Sequence, residues 1–272
     1  MKSNEVDVSF QELLQGIVKF GKIIETRNSK VKRLTNYVVD FHRTPLVSLR
    51  KTAWKNALRE MEWFLSGSEW IEDLHPAVRH WWEPWGPMVY NNYSRQFRHF
   101  DGTIDGKESA TADQIAYVIN SLKNHPYSRR AVMTTWHAYD MMQNYTPITN
   151  CHGTVIQLFG NTDGTTDMTM YQRSVDVMLG LQHNWIQYWA LLMYLCARSG
   201  RKVGKFTWIG GDCHIYDAHK EVAVELSEAE LPSYEKELKL LYTPSDESFK
   251  ADDFSLQGDY KPLGTKKLEL IV

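Results

Sequence analysis

The chain has 272 residues, of which 43% are hydrophobic and 24% are charged, and its formal net charge at pH 7 is −2. This length is enough for one large domain with its own core, and the charge balance predicts neither a nucleic-acid nor a membrane partner. Three cysteines without paired spacing argue against a disulfide framework or a zinc site and favour a reducing compartment. We therefore expect a single cytoplasmic domain spanning residues 1–272.

The N-terminal part of the chain contains two predicted helices. Ser9 and Glu12 have the spacing of a capping box, so the first helix is expected to begin at Ser9. A second helix is expected over about 51–65, and Glu60 and Glu62 lie on or beside its apolar face. A carboxyl group near a buried face has a raised pKa and can act as an acid or a base. The pattern leaves open whether Glu60 or Glu62 has this environment.

The central part of the chain combines a helix pattern with strand patterns. Apolar residues mark a third helix around 115–122, which leads into a strand over 131–136. Two β-rich runs, 153–159 and 166–172, flank the glycine-containing turn at 160–164. This arrangement is typical of a β-hairpin.

The C-terminal part begins with a long apolar helix, expected over about 184–198. The polar residue Gln187 interrupts its apolar run, which is also too short to span a bilayer. A short strand at 206–209 and another helix at 212–226 are expected to follow. Strands and helices without regular βαβ alternation indicate an α+β fold.

Cys151 and the turn at 172–176 are the strongest candidates for chemistry. Cys151 precedes a predicted strand and can be a nucleophile if nearby cations lower its pKa, or a small buried core residue. Arg173, Ser174 and Asp176 bring a cation, a hydroxyl and a carboxylate into one turn. A guanidinium group matches the oxygens of a phosphate, so this turn is a candidate anion site.

Other candidate residues each have two interpretations. Arg129 and Arg130 can bind an anion or simply face water. Asn184 can cap the long helix, or its amide can read the edge of a uracil ring because it carries both a donor and an acceptor. The remaining candidates carry rings that can pack in the core or bind a flat ligand or a sugar, and they are Trp82, Trp85, His214 and Tyr216.

Taken in order, these segments resemble the thymidylate synthase family over most of the chain. The segment YQRSVDVMLGL at 171–181 is similar to the central signature of that family. Asn184 stands at the position of its base-reading asparagine, and GDCHIY at 211–216 follows at the expected distance. The resemblance implies a thymidylate synthase fold, in which a mixed or antiparallel sheet packs with a long buried central helix and surrounding helices.

The resemblance also implies a set of catalytic roles. Cys151 would add to carbon 6 of a pyrimidine ring, and Arg173 would bind the substrate phosphate and help to keep the thiol ionised. Glu60 and Tyr93 would manage protons through ordered water. The other catalytic residues implied are His152, Asp176 and Asn184.

The ligands implied by the resemblance are a pyrimidine deoxynucleotide and 5,10-methylenetetrahydrofolate, with no metal ion. The implied substrate ligands are Arg27, Arg129, Arg130, Gln172, Arg173, Ser174, Asn184, His214 and Tyr216. Within that set, Arg129 and Arg130 would reach across a homodimer interface to the partner's phosphate. The implied folate pocket is lined by Trp82, Trp85, Asp176, Leu179, Gly180 and Val272.

Two segments distinguish this chain from ordinary members of that family. The region REMEW with SGSE (59–69) and the segment YNNY (90–93) resemble phage deoxycytidylate hydroxymethylases. Asn184 favours uracil, because a neutral amide can donate to O4 and accept from N3–H. We therefore expect a deoxyuridylate hydroxymethylase acting on dUMP. The alternatives are thymidylate synthase, deoxycytidylate hydroxymethylase, and a catalytically idle regulator that binds nucleotide or RNA.

Overall fold

The computed structural model describes residues 2–3, 5–27, 29–104, 108–143, 149–264 and 267–271. Its helices are α1 (Glu5–Phe20), α2 (Trp54–Phe64), α3 (Tyr93–Arg98), α4 (Gln114–Asn124), α5 (Ala138–Gln143), α6 (Leu181–Ser199) and α7 (Lys220–Glu228). Its strands are β1 (Lys2–Ser3), β2 (Lys22–Glu25), β3 (Lys30–Phe41), β4 (Phe100–Ile104), β5 (Glu108–Ala112), β6 (Val132–Met133), β7 (Val155–Gly160), β8 (Thr165–Asp176), β9 (Lys202–Tyr216), β10 (Ser233–Tyr234), β11 (Lys239–Tyr242) and β12 (Phe254–Gln257). Short 3-10 turns lie at Ile71–Asp73, Arg79–Trp81, Glu83–Trp85, Asp217–His219 and Ala251–Asp253.

A six-stranded mixed sheet organises the molecule, with strand order β2-β3-β9-β8-β7-β6. The pair β8–β9 is parallel and is linked through α6, whereas the other neighbouring pairs are antiparallel. This arrangement confirms the expected α+β fold with a mixed sheet. The expected hairpin is β7–β8, in which Val155 pairs with Tyr171. The parallel register places Ser174 beside Asp212 and Asp176 beside His214.

Helix α6 is the central element of the core. Most of its side chains are buried, including polar ones, so it has no solvent-facing stripe of the kind found on surface helices. Trp185 packs edge-on against Trp208 of β9, with ring centroids 5.5 Å apart. The helix ends at Gly200, whose φ of 70° is the left-handed conformation that closes many helices. The expected long buried helix is therefore present.

Several predicted boundaries are wrong, and each has a local or tertiary cause. Helix α1 begins at Glu5, and the Ser9 hydroxyl donates to the Glu5 carbonyl at 3.1 Å, so it does not cap the helix. Helix α6 begins at Leu181, so Asn184 lies inside it rather than at its cap. The strand expected over 131–136 is limited to Val132–Met133.

The largest difference concerns 212–216, which was predicted to be helical. These residues extend β9 to Tyr216, and α7 begins only at Lys220. Pairing with β3 on one side and β8 on the other supplies two hydrogen-bonded neighbours, which overrides the local pattern. The long strand β3 and the β4–β5 hairpin were not predicted, because polar residues interrupt their apolar alternation.

Candidate active site

Cys151 lies in the loop before β7 and is held by Tyr93. The Cys151 backbone N–H donates to the Tyr93 hydroxyl at 2.8 Å, and the same hydroxyl lies 3.3 Å from Sγ. Tyr93 is the first residue of α3, and the Asn92 side chain caps this helix by accepting from the N–H groups of Ser94 and Arg95. The segment 90–93, noted in the sequence, therefore positions the tyrosine that contacts the thiol.

The side chain of His152 contacts two tyrosines. Its Nδ1 forms a 2.8 Å hydrogen bond with the Tyr188 hydroxyl, and its ring stacks on Tyr93 at 4.0 Å. Burial lowers the pKa of His152 to about 3, so the imidazole is neutral at physiological pH. It therefore does not provide a positive charge to the thiolate, and its visible contribution is to support the ring of Tyr93.

Opposing effects act on the ionisation of Cys151. Burial raises the pKa of the thiol, whereas the Tyr93 hydrogen bond and the charge of Arg173 lower it. The Arg173 guanidinium lies over the Trp136 ring at 5.5 Å, and the Ser174 N–H donates to the Cys151 carbonyl at 3.4 Å. The end of β8 thus brings the predicted cation next to the predicted nucleophile.

A cleft of about 180 Å³ brings together four of the predicted substrate ligands. It is lined by Thr26, Arg27, Val31, Ser174, Asp212, His214 and Tyr216. Strand register explains the assembly, because Val31 pairs with Tyr216 and Ser174 pairs with Asp212. His214 Nδ1 lies 2.9 Å from Asp212 Oδ1, which fixes the imidazole at the cleft wall. Arg129 and Arg130 are exposed before β6 and do not line this cleft.

Asn184 belongs to a buried chain of side-chain amides. Its Oδ1 accepts from Gln172 Nε2 at 2.8 Å, and its Nδ2 donates to Gln187 Oε1 at 3.1 Å. Gln172 Oε1 accepts from the Trp208 indole at 2.9 Å. Gln172 is 0% exposed, and its amide links Asn184 to Trp208 within the core.

Glu60 is the carboxylate at the other end of this amide chain. It accepts from Trp82 Nε1 at 2.6 Å and from Gln187 Nε2 at 2.7 Å. Burial raises the pKa of Glu60 to about 7, against the lowering effect of both hydrogen bonds. Glu62 instead accepts from the Ala251 N–H at 2.9 Å. Of the two candidates, only Glu60 is connected to the site.

Three of the predicted folate ligands, Asp176, Leu179 and Gly180, lie at the end of β8 and in the turn that follows it. Asp176 Oδ1 accepts from the N–H groups of Met178 and Leu179 at 2.8 and 3.2 Å, and burial raises the pKa of Asp176. Gly180 is the N-cap residue of α6, next to this turn. Trp82 is 5% exposed and mainly packs in the core, whereas Trp85 is only partly buried. Val272 lies outside the described residues.

Three residues of this region were not predicted as site residues. Gln187 was noted only as a break in an apolar run, and Tyr188 carried no separate signal in the sequence. His219 donates from Nε2 to the Glu269 carbonyl at 2.9 Å, and its Nδ1 lies 4.0 Å from Asp176 Oδ2.

Within the described ranges, we find no cluster of His, Cys, Asp and Glu side chains suited to a metal ion. No described helix has the length and hydropathy needed to cross a membrane.

The sequence of the chain is similar to those of known proteins of one family. The sequence model for thymidylate synthase matches residues 8–272. A thymidylate synthase from Corynebacterium aurimucosum is 32% identical over 235 residues, which are 84% of this chain and 82% of the relative. One from Brachyspira hyodysenteriae is 31% identical over 239 residues, 85% of each chain. One from Cereibacter sphaeroides is 28% identical over 249 residues, covering 80% of this chain and 81% of the relative. The chain therefore belongs to the thymidylate synthase family.

Proposed function

We propose that this member of the family is a deoxyuridylate hydroxymethylase. Its substrates would be dUMP and 5,10-methylenetetrahydrofolate, and its products would be 5-hydroxymethyl-dUMP and tetrahydrofolate. The observation that carries the proposal is the contact of Tyr93 with Cys151, because Tyr93 lies in a segment that resembles hydroxymethylases.

The two segments that resemble hydroxymethylases also contact each other. The Val89 N–H donates to the Glu69 carbonyl at 2.9 Å, and the Asn91 N–H donates to the Glu69 carboxylate. Asn91 has a φ of 56°, a left-handed conformation that asparagine tolerates better than most residues. The segments 66–69 and 90–93 thus act as one unit that sets the position of Tyr93 on the thiol.

The proposed mechanism begins with addition of the Cys151 thiolate to carbon 6 of dUMP. This addition makes carbon 5 nucleophilic and divides one difficult substitution into easier steps. Arg173 and the ligands of the cleft would hold the phosphate and sugar, and Asn184 would read the base. After carbon 5 has gained the one-carbon unit and lost its proton, breaking of the bond to the folate nitrogen would release tetrahydrofolate and leave an exocyclic methylene. Glu60 would then accept a proton from the water that attacks this methylene. Elimination of Cys151 then releases the product.

The turn at 176–180 fits the folate. The buried carboxyl group of Asp176 can bond the N–H groups of a pterin, and partly exposed Trp85 offers a flat apolar surface. The folate supplies the one-carbon unit. Leu179 and Gly180 would line the same pocket, and His219 would link Asp176 to the tail that contains Glu269.

Thymidylate synthase is the second candidate, and the names of the relatives favour it. That activity would quench the methylene with hydride from the folate rather than with water. Deoxycytidylate hydroxymethylase is a third candidate, which Asn184 disfavours. A catalytically idle binder of nucleotide or RNA is the non-enzyme alternative, and the retained Cys151 and Arg173 argue against it.

A product assay separates these candidates. Enzyme, dUMP and methylenetetrahydrofolate are incubated, and the nucleotide and folate products are identified by mass spectrometry. We expect 5-hydroxymethyl-dUMP with tetrahydrofolate, and Cys151→Ser serves as the inactive control. Mainly dTMP with dihydrofolate would overturn the proposed product. No turnover of either dUMP or dCMP would favour the non-enzyme alternative.

We also propose a homodimer formed through the open face of the large sheet. On β7, Val155 and Phe159 are exposed, on the face opposite to buried Ile156 and Leu158. Arg129 and Arg130 lie at the end of this sheet, before β6, where they could enter a partner's site. Mixing inactive Cys151→Ser chains with inactive chains carrying Arg129→Ala and Arg130→Ala should restore activity. No restoration in mixed dimers would contradict the shared site.

A further inference from the structure

The amide of Asn184 is held in one orientation by groups on both sides. The Trp208 indole can only donate, so Gln172 must turn its oxygen to Trp208 and its Nε2 to Asn184 Oδ1. On the other side, the Ala57 carbonyl can only accept, so Gln187 must turn its Nε2 toward it, at 3.0 Å. The Gln187 oxygen then faces Asn184 Nδ2.

This orientation leaves one acceptor site and one donor site for a ligand. Asn184 Oδ1 keeps a second lone pair, Nδ2 keeps a second hydrogen, and the side chain remains 7% exposed. A 4-oxo pyrimidine presents N3–H and O4, which match these two sites. A 4-amino pyrimidine presents a bare N3 and an amino group, and it would match only if the amide rotated by half a turn.

We propose that Gln187 is a positioning residue that selects 4-oxo over 4-amino pyrimidines by preventing rotation of the Asn184 amide. This inference rests on the proposed function, because it assigns the base specificity of the same site. Rotation would place Asn184 Oδ1 against the Gln187 oxygen and Nδ2 against the Gln172 nitrogen. Both contacts are buried and would leave polar groups without partners, which is costly.

Gln187 contacts both Asn184, which would read the base, and Glu60, which would act as the acid–base group. Its Nε2 donates to Glu60 Oε2 at 2.7 Å while its oxygen accepts from Asn184. The two ends of one side chain therefore have different functions that two substitutions can separate. In Gln187→Met, the hydrogen bonds to Asn184, Glu60 and the Ala57 carbonyl are all lost with little change in volume. In Gln187→Glu, an oxygen still faces Asn184, but two carboxyl groups now lie side by side.

The test measures kcat/KM for dUMP and for dCMP by release of tritium from carbon 5. Tritium leaves before the methylene is quenched, so a methyl product would overturn the proposed product without altering this test. We expect Gln187→Met to lower the dUMP-to-dCMP ratio by about tenfold, the effect of one buried hydrogen bond. We expect Gln187→Glu to keep the ratio near that of the parent and to move the acid limb of kcat to higher pH.

Gln182→Met is the matched control. Gln182 is a second glutamine of α6 with 0% exposure, and among the described residues its amide donates to the carbonyls of Met178 and Leu179. We expect this variant to keep the parental ratio. Equal losses for dUMP and dCMP in Gln187→Met, or the same fall in the ratio in Gln182→Met, would overturn the inference. A loss of selectivity in Gln187→Glu would also overturn it.

Discussion

The Tyr93 hydroxyl lies 3.3 Å from the Cys151 sulfur and accepts the backbone N–H of the same cysteine at 2.8 Å. When the thiol is ionised, the phenol is the only member of this pair that can donate a hydrogen bond. The pKa of Tyr93 lies well above its usual value, mainly because of burial, so the phenol keeps its proton. The thiolate is therefore stabilised by a neutral hydroxyl as well as by Arg173.

Removing this hydroxyl should make the thiol harder to ionise. In Tyr93→Phe we expect the pKa of Cys151 to rise and the rate of covalent adduct formation with 5-fluoro-dUMP to fall by roughly tenfold, the effect of one hydrogen bond to a charged group. Stopped-flow measurement of adduct formation across pH tests this. Tyr188→Phe is the control, because Tyr188 bonds His152 instead of Sγ. An unchanged adduct rate in Tyr93→Phe would contradict the assignment.

The sulfur of Cys151 should be indispensable, unlike the other buried thiols. We expect Cys151→Ser to form no adduct with 5-fluoro-dUMP and folate, and to lose turnover by on the order of 10³ or more. Burial raises the pKa of Cys196 to about 12, so this thiol does not form a thiolate at neutral pH. Cys196→Ala should therefore still form the adduct, which mass spectrometry of the intact chain detects. An adduct in Cys151→Ser would place the nucleophile elsewhere.

Turnover should rise with pH through about 7 because Glu60 acts as a base in its ionised form. The parameter to follow is kcat, which reports the complex after the thiol has added to the ring. In Trp82→Phe, the loss of the indole hydrogen bond should raise the pKa of Glu60 and move the acid limb to higher pH. Trp85→Phe is the matched control, because Trp85 is not a hydrogen-bond donor to Glu60. An acid limb that stays in place in Trp82→Phe would exclude Glu60 as its source.

The free energy of unfolding should also depend on the ionisation of Glu60, but it should fall with rising pH where turnover rises. The pKa of Glu60 is about 7 in the folded state against an ordinary value of 4.5, so the folded state binds more protons between these values. The contribution of Glu60 is complete below about pH 4.5 and is lost as pH rises through 7, which amounts to about 3 kcal/mol. The free energy of unfolding of Glu60→Gln, measured relative to the parent in denaturant titrations, should therefore increase by about 3 kcal/mol between pH 4.5 and pH 8. A constant difference would contradict a raised pKa.

Substituting Asn184 alone should not convert the specificity of the enzyme from dUMP to dCMP. In Asn184→Asp, the Gln187 oxygen would face a carboxyl oxygen, and the single carboxyl proton cannot serve both Gln187 and N3 of cytosine. We expect this variant to lose turnover of dUMP while gaining little with dCMP. Combining Asn184→Asp with Gln187→Met should raise dCMP turnover by roughly tenfold over the single variant. Additive effects of the two substitutions on dCMP turnover would count against the coupling.

The sequence by itself determined the local features that depend on neighbouring residues. The apolar run after Gly180 predicted a long buried helix, and the Gly-containing turn at 160–164 predicted the β7–β8 hairpin. Cys151, Arg173 and Asn184 were identified because their motifs are contiguous or closely spaced. These features are short-range, so pattern and spacing suffice to predict them.

Only the tertiary structure decided which polar side chains share a buried environment. Glu60 and Glu62 are equivalent in the sequence pattern, yet only Glu60 meets Trp82 and Gln187, because α2 packs against α6. Residues 212–216 became strand because two neighbours pair with them. The pKa of a buried group and the direction of an amide depend on partners more than a hundred residues away, as with Gln187 and Ala57. Local sequence contains no such information.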